Sequence, residues 1–262
     1  KEYRHLWSKL DGLFKSTLRK HYEREYVKNS IGYGQTGYTH FKIFLALIGH
    51  LANNGKSTML QVLKSQLYPF CDSLDAELFT AEQIHPSKLE PLRRGIRIGF
   101  VEEIADKKKL NAQRVKEYVG LLNEIAKIRV LYSQDEAEFN FMCKLYFATN
   151  FDVPFDRSDN GLADRLRAAL FTTRFVKANE WKGRLKRKSH LDNPEKYWND
   201  RGFYPEDSRF GEIFKKSELM ASVFQDYFYP RSVQAVQIKD LPEPESMRKL
   251  RTQICEKIDQ MA

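Results

Sequence analysis

A run of apolar residues at 43–48 (IFLALI) has the length and content of a strand buried on both faces. It breaks at Gly49 into a short loop. The pattern resumes at Lys56-Ser57-Thr58 with Met59, Leu60, Leu63 and Leu67 at helical spacing, and Pro69 ends that helix. Upstream, 1–30 is highly charged and reads as helical. Leu6, Leu10, Leu13, Phe14 and Leu18 share a face there, which packs either on the body of the protein or on a neighbouring subunit. Gly32, Gly34 and Gly37 make 31–39 read as a linker. Downstream, 70–91 is irregular, and 96–101 is a short strand ending in Glu102-Glu103. A helix over 111–125 carries Arg114, Lys116 and Glu117. Strands at 128–132 and 139–149 flank a polar turn at 133–138, the pattern of a β-hairpin. A last strand, 168–175, follows Asp164-Arg165-Leu166-Arg167. The stretch 189–211 is loop-like, 212–228 is helical, and Leu241-Pro242-Glu243-Pro244 breaks the chain before a final helix over 245–261.

This alternation predicts an α/β fold. It is a parallel αβα sandwich with an inserted β-hairpin and flanking helical segments. We divide the chain into an N-terminal helical segment and linker (1–36), a nucleotide-binding core (37–178), and a basic cluster with a mostly helical C-terminal region (179–262).

The loop after the first strand changes the picture from fold to chemistry. A strand, a small-residue loop ending Gly55-Lys56-Ser57 and then a helix is the context of a phosphate-binding P-loop. Loop N–H groups and the positive helix end face the phosphates. Lys56 pairs with β/γ-phosphates and the Ser57 hydroxyl reaches Mg²⁺. The usual first glycine falls on His50, with Gly49 one residue early. Either the loop is a residue longer or His50 stands in the glycine's place; an ordinary Asn-Gly turn is the plain alternative. Ligands gather at the C-terminal ends of strands in open α/β sheets. Glu102 and Glu103 therefore fit the same site, one in a Mg²⁺ shell and the other polarising an attacking water.

Composition narrows the surroundings. Lys+Arg 44 against Asp+Glu 35 gives a net charge of +9, which suits a nucleic acid or an anionic surface. Cys71, Cys143 and Cys255 lie far apart, which argues against a zinc site or a disulfide framework and fits an intracellular, reducing compartment. No apolar run is long enough to span a bilayer, there is no signal-peptide pattern, and no membrane partner is expected. A start without Met reads as a piece of something longer. The basic cluster at 181–188 (WKGRLKRK) is a further candidate grip on a phosphate backbone.

Taken together, the motifs resemble superfamily 3 helicases, the AAA+-related ring motors of DNA viruses, and most nearly the poxvirus-type primase-helicases. The likeness covers roughly 41–176. Asn53-Asn54-Gly55-Lys56-Ser57-Thr58 resembles Walker A, and the lead-in to Glu102-Glu103 resembles Walker B. Lys116 and the strand at 129–132 resemble the motif between Walker B and sensor 1. The stretch 145–150, with Pro154 beyond, resembles sensor 1, and Arg165-Leu166-Arg167 resembles the arginine-finger motif.

The resemblance implies ATP and Mg²⁺ as cofactors. Lys56 neutralises phosphate charge, and Ser57 and Glu102 hold the metal. Glu102 and Glu103 share the metal and base roles in an order the sequence leaves open. Asn150 positions the water, and Arg165, with Arg167 as second candidate, reaches into a neighbour's site. It also implies a homo-oligomeric ring, a hexamer, on single-stranded or forked DNA, a primase region in the same longer polypeptide, and a host cell as location. The family's hairpin lines the pore. Here the tip, 133–137, carries no Lys or Arg, so Lys127, Arg129 and Lys144 are the candidate DNA contacts. Two other readings stand beside the motor: a P-loop phosphotransferase such as a nucleotide kinase, and a non-catalytic ATP-binding assembly module.

Overall fold

The computed structural model describes residues 1–102, 104, 108–120, 125–129, 136–151, 153, 160–177, 179–180, 193, 196, 202–207, 210–214 and 217–260. Within these, the backbone alone is described for 125–129, 136, 137, 212 and 258–260. Glu103, Pro154, 130–135 and the basic cluster at 181–188 lie outside the described residues.

A five-stranded, all-parallel sheet forms the centre, in the order β2-β3-β6-β1-β7. The strands are β1 (Phe44–Ile48), β2 (Cys71–Leu74), β3 (Ile98–Glu102), β6 (Lys144–Thr149) and β7 (Leu166–Leu170). The apolar run at 43–48 becomes β1 because both of its faces are covered. Leu45 and Leu47 join one core, and Phe44, Ala46 and Ile48 join the other. Its neighbour β6 alternates likewise, with Tyr146 and Ala148 on the first side and Leu145 and Phe147 on the second.

The first core lies under helices α1 (Glu2–Thr17), α2 (His21–Gln35), α3 (Lys56–Leu67) and a long C-terminal helix, α9 (Glu218–Gln237). The second lies under α4 (Glu77–Thr80), α6 (Ala112–Gly120), α7 (Asn160–Arg165) and α10 (Glu245–Gln260). Two short helices, α5 (Glu90–Arg93) and α8 (Phe210–Ile213), complete the set among the described residues. Helices cover both faces of a parallel sheet, as the alternating pattern predicts.

Five expectations change. The stretch 31–39 is no linker at its start: α2 runs unbroken through Gln35, with Ile31, Gly32, Tyr33 and Gly34 buried. Its glycines serve close approach. A Cβ on Gly32 would lie 2.6 Å from Arg231 Cβ of α9, and one on Gly34 would lie 2.7 Å from Ile98 of β3. The irregular stretch 70–91 contains an edge strand, β2, and short helical turns. The strand expected over 139–149 is two: β5 (Glu136–Asn140) and β6. The hairpin pairs β4 (Ile125–Arg129) antiparallel with β5 as a separate two-stranded sheet, so its first strand begins earlier than 128 and Glu136 and Ala137 belong to a strand. The strand over 168–175 likewise divides into β7 and β8 (Arg174–Val176), and β8 pairs with β9 (Phe203–Pro205).

The flanking segments are part of the layers. Trp7 and Phe14 of α1 pack on Tyr227 of α9, and Lys28 of α2 reaches Asp11 at 3.0 Å, to which Tyr227 also donates at 2.8 Å.

Candidate nucleotide site

The strand order decides which loops meet. β6 lies between β1 and β3, so the C-terminal ends of these three strands stand side by side. Ile48 is level with Thr149, and Ala148 is level with Glu102. The loop 49–55 leaves β1 there and returns as α3.

The loop is braced from within. The buried Asn54 side chain donates to the carbonyls of Gly49 (3.2 Å) and Leu51 (2.7 Å), and its oxygen accepts from Lys56 N–H at 3.0 Å. A Cβ on Gly49 would lie 2.0 Å from the Asn54 amide nitrogen, so glycine is needed at 49 rather than at 50. The glycine this loop requires at its start is therefore Gly49, six residues before Gly55. Asn53 (φ 56°) and Gly55 (φ 79°) turn the chain through the left-handed region. Asn tolerates that region and Gly is free in it. A Cβ on Gly55 would also strike Thr17 and Phe175. His50 is exposed, with its Nδ1 3.2 Å from the Asn150 carbonyl oxygen.

Lys56, the first residue of α3, is buried at 6% exposure. Its ammonium donates to the Thr149 carbonyl and, at 2.9 Å, to Asn150 Oδ1. Among the described residues it makes no ion pair. Burial pulls its pKa from the ordinary 10.5 to about 8, and the Glu102 carboxylate works in the opposite direction. A buried cation held only by neutral oxygens is one whose charge an incoming anion would stabilise. Ser57 and Thr58 are exposed on the first turn of the same helix, where N–H groups and the helix dipole favour an anion. These residues therefore fit a phosphate group, and the Ser57 hydroxyl with the Glu102 carboxylate is a hard-oxygen pair suited to Mg²⁺.

Glu102 ends β3, partly exposed. Its Oε1 accepts from Lys64 Nζ at 2.6 Å and from Ser73 Oγ at 3.0 Å. Sequence reasoning missed both partners. The available signal was spacing: Ser57 and Lys64 lie on one stripe of α3.

The remaining predicted residues are elsewhere. Arg165 ends α7 directly before Leu166, which is level with Phe44 at the start of β1. It therefore sits at the N-terminal edge of the sheet, about 15 Å of strand away from the loop 49–55. Its Nη1 donates to Gly161 O at 2.6 Å. Arg167 points into a partly buried cluster, with Nε 3.8 Å from Glu243, which also binds Arg251 at 3.1 Å. In this chain it anchors the segment before α10 to the sheet and does not approach Lys56.

Lys144 is corrected outright as a DNA contact. It is 8% exposed, donates to Met142 O at 2.9 Å and lies over the Tyr33 ring. Burial pulls its pKa down to about 7. Lys127 and Arg129 stand on β4 opposite Glu138 and Glu136, and their side chains lie outside the description. No helix among the described residues is long and apolar enough to cross a membrane. A cleft of about 330 Å³, lined by Gln35, Phe70, Arg97 and Tyr229 among others, opens at the far end of the sheet from Lys56.

No protein-family model matches this chain, and no curated protein does. Solved structures do. The chain folds like the NrS-1 C-terminal region. An A-form apo structure of that region superposes with a TM-score of 0.62 at 14% identity, over 96% of this chain and 51% of that one. A second apo structure of the region gives 0.61 at 15% identity, over 94% and 51%. The chain spans about half the length of the solved structures it matches.

Proposed function

We propose that this chain is an ATP-hydrolysing DNA helicase motor of the superfamily 3 type, acting as a ring on single-stranded DNA in viral-type genome replication. One observation carries the reading: Lys56 Nζ is hydrogen-bonded to Asn150 Oδ1 at 2.9 Å, with Glu102 on the next strand. Three chemically distinct residues, far apart in sequence, meet at adjacent strand ends behind a braced loop. The fold likeness to the NrS-1 C-terminal region is in keeping with it.

The chain's own groups divide the work as follows. Lys56 exchanges the Thr149 and Asn150 oxygens for phosphate oxygens, whose negative charge stabilises the buried ammonium. The loop 49–55 and the first turn of α3 supply N–H groups to the same anion. Ser57 and Glu102 would hold Mg²⁺, which when bound offsets charge between the phosphates. Asn150, released by Lys56, orients a water, with Glu103 following directly after Glu102 as the candidate base. Arg165 is too distant from its own chain's loop to serve it. Its role is the neighbour's site, so hydrolysis depends on assembly.

The test is retention of a fluorescent ATP analogue by the wild-type chain and by Lys56→Ala. Binding lost in Lys56→Ala supports the site. Equal binding by both proteins, or none by the wild type, overturns it.

A further inference from the structure

Glu102 is held by a cation of its own chain. Lys64 Nζ lies 2.6 Å from Glu102 Oε1 and 2.9 Å from Ser73 Oγ, and Ser73 Oγ donates to the same Oε1 at 3.0 Å. The three groups close a triangle between α3, β2 and β3. Both charged side chains keep about a third of their exposure, 30% and 32%, so the pair borders solvent. Oε2 of Glu102 takes no hydrogen bond from a described residue. A divalent cation approaching this carboxylate therefore has two routes. It displaces Lys64 from Oε1, or it takes Oε2 against the repulsion of an ammonium on the same group. Each route weakens the metal's hold.

We propose that Lys64 is a positioning residue that competes with the divalent cation for the Glu102 carboxylate, and so raises the Mg²⁺ concentration that nucleotide binding requires. This rests on the nucleotide-site reading above and adds a control to it. Lys64 stands on the helix whose first turn faces the phosphates, so the contact also ties Glu102 to the element that would sense nucleotide. Ser73 acts as the second brace on the same oxygen.

The experiment titrates Mg²⁺ against the full chain and a fluorescent non-hydrolysable ATP analogue, reading the midpoint of analogue binding. Ion pairs this exposed are weak, so Lys64→Gln lowers the midpoint about two- to five-fold. Lys64→Arg keeps the cation and leaves the midpoint near wild type. Ser73→Ala, on an exposed position of the edge strand, shifts it in the same direction by less. A role limited to packing moves the melting temperature and not the midpoint. An unchanged or raised midpoint in Lys64→Gln, with analogue binding intact, overturns the competition and leaves the nucleotide site standing. Should Lys64→Gln fail to fold, an unchanged midpoint in Ser73→Ala overturns it instead. Failure of every protein, wild type included, to bind the analogue at any Mg²⁺ concentration overturns the site and the competition together.

Discussion

Gly32→Ala puts a methyl group where two helices touch. An ideal Cβ at 32 would lie 2.6 Å from Arg231 Cβ and 3.1 Å from both Arg231 C and Ser232 N. Two of these three atoms are backbone of α9, which cannot swing aside as a side-chain end can. The helices must part by roughly an ångström, and overpacking of this kind costs about 1–3 kcal/mol. Ser232 Oγ also donates to Gly32 O at 2.8 Å, and stretching that bond costs about 1 kcal/mol more. Against this, alanine is favoured over glycine inside a helix by about 1 kcal/mol. The net expectation is a loss of about 2 kcal/mol, which lowers the melting temperature by roughly 4–8 °C for a chain of this size. Gly12→Ala is the control. Nothing lies within 4 Å of its Cβ, so only the helix preference acts and the melting temperature rises by a few degrees. Thermal unfolding followed by circular dichroism reads both. A Gly32→Ala protein as stable as Gly12→Ala would refute the close approach of α2 and α9.

Other consequences follow from single residues. Lys144 is depressed to about 7 in the folded chain against an ordinary 10.5. The unfolded chain therefore binds more protons between those values, and stability gains with pH from about 7 towards 10.5. Lys144→Met removes that rise, and unfolding by denaturant at pH 7 and pH 9 shows a smaller difference than wild type. Asn54→Ala strips the loop of two donors and one acceptor, so ATP-analogue affinity falls while the chain loses about 1–2 kcal/mol of stability. Arg165→Ala keeps analogue binding and loses hydrolysis on the order of a thousand-fold. Mixing it with Glu103→Ala subunits restores some sites, because each supplies what the other lacks, and full hydrolysis by Arg165→Ala alone would remove the finger assignment.

The central architecture was legible because it depends on burial. A strand covered on both faces has to be apolar throughout, so 43–48 announced β1, and helical spacing after Lys56 announced α3. The glycines of α2 were misread because glycine carries two meanings. It breaks helices, and it also lets helices touch; only the partner surface of Arg231 and Ile98 separates the two. β2 was hidden because an edge strand of sequence Cys-Asp-Ser-Leu has no strong pattern to show. Residues 141–143 split what reads as one strand because β5 and β6 join different sheets, which the mostly apolar content of 139–149 does not reveal. In the site, the motif residues Lys56, Asn150 and Glu102 came together through strand order, which periodicity cannot supply. Lys144 failed as a DNA contact because a charge in a strand reads as exposed, whereas here Tyr33 and Met142 O enclose it.

The central claim is most directly tested by steady-state ATP hydrolysis over a range of protein concentrations, with and without single-stranded DNA. The account predicts that specific activity rises cooperatively with concentration and is stimulated by DNA, because Arg165 completes a site only across an interface. Hydrolysis that is linear in protein and indifferent to DNA, or no hydrolysis at any concentration, would contradict it.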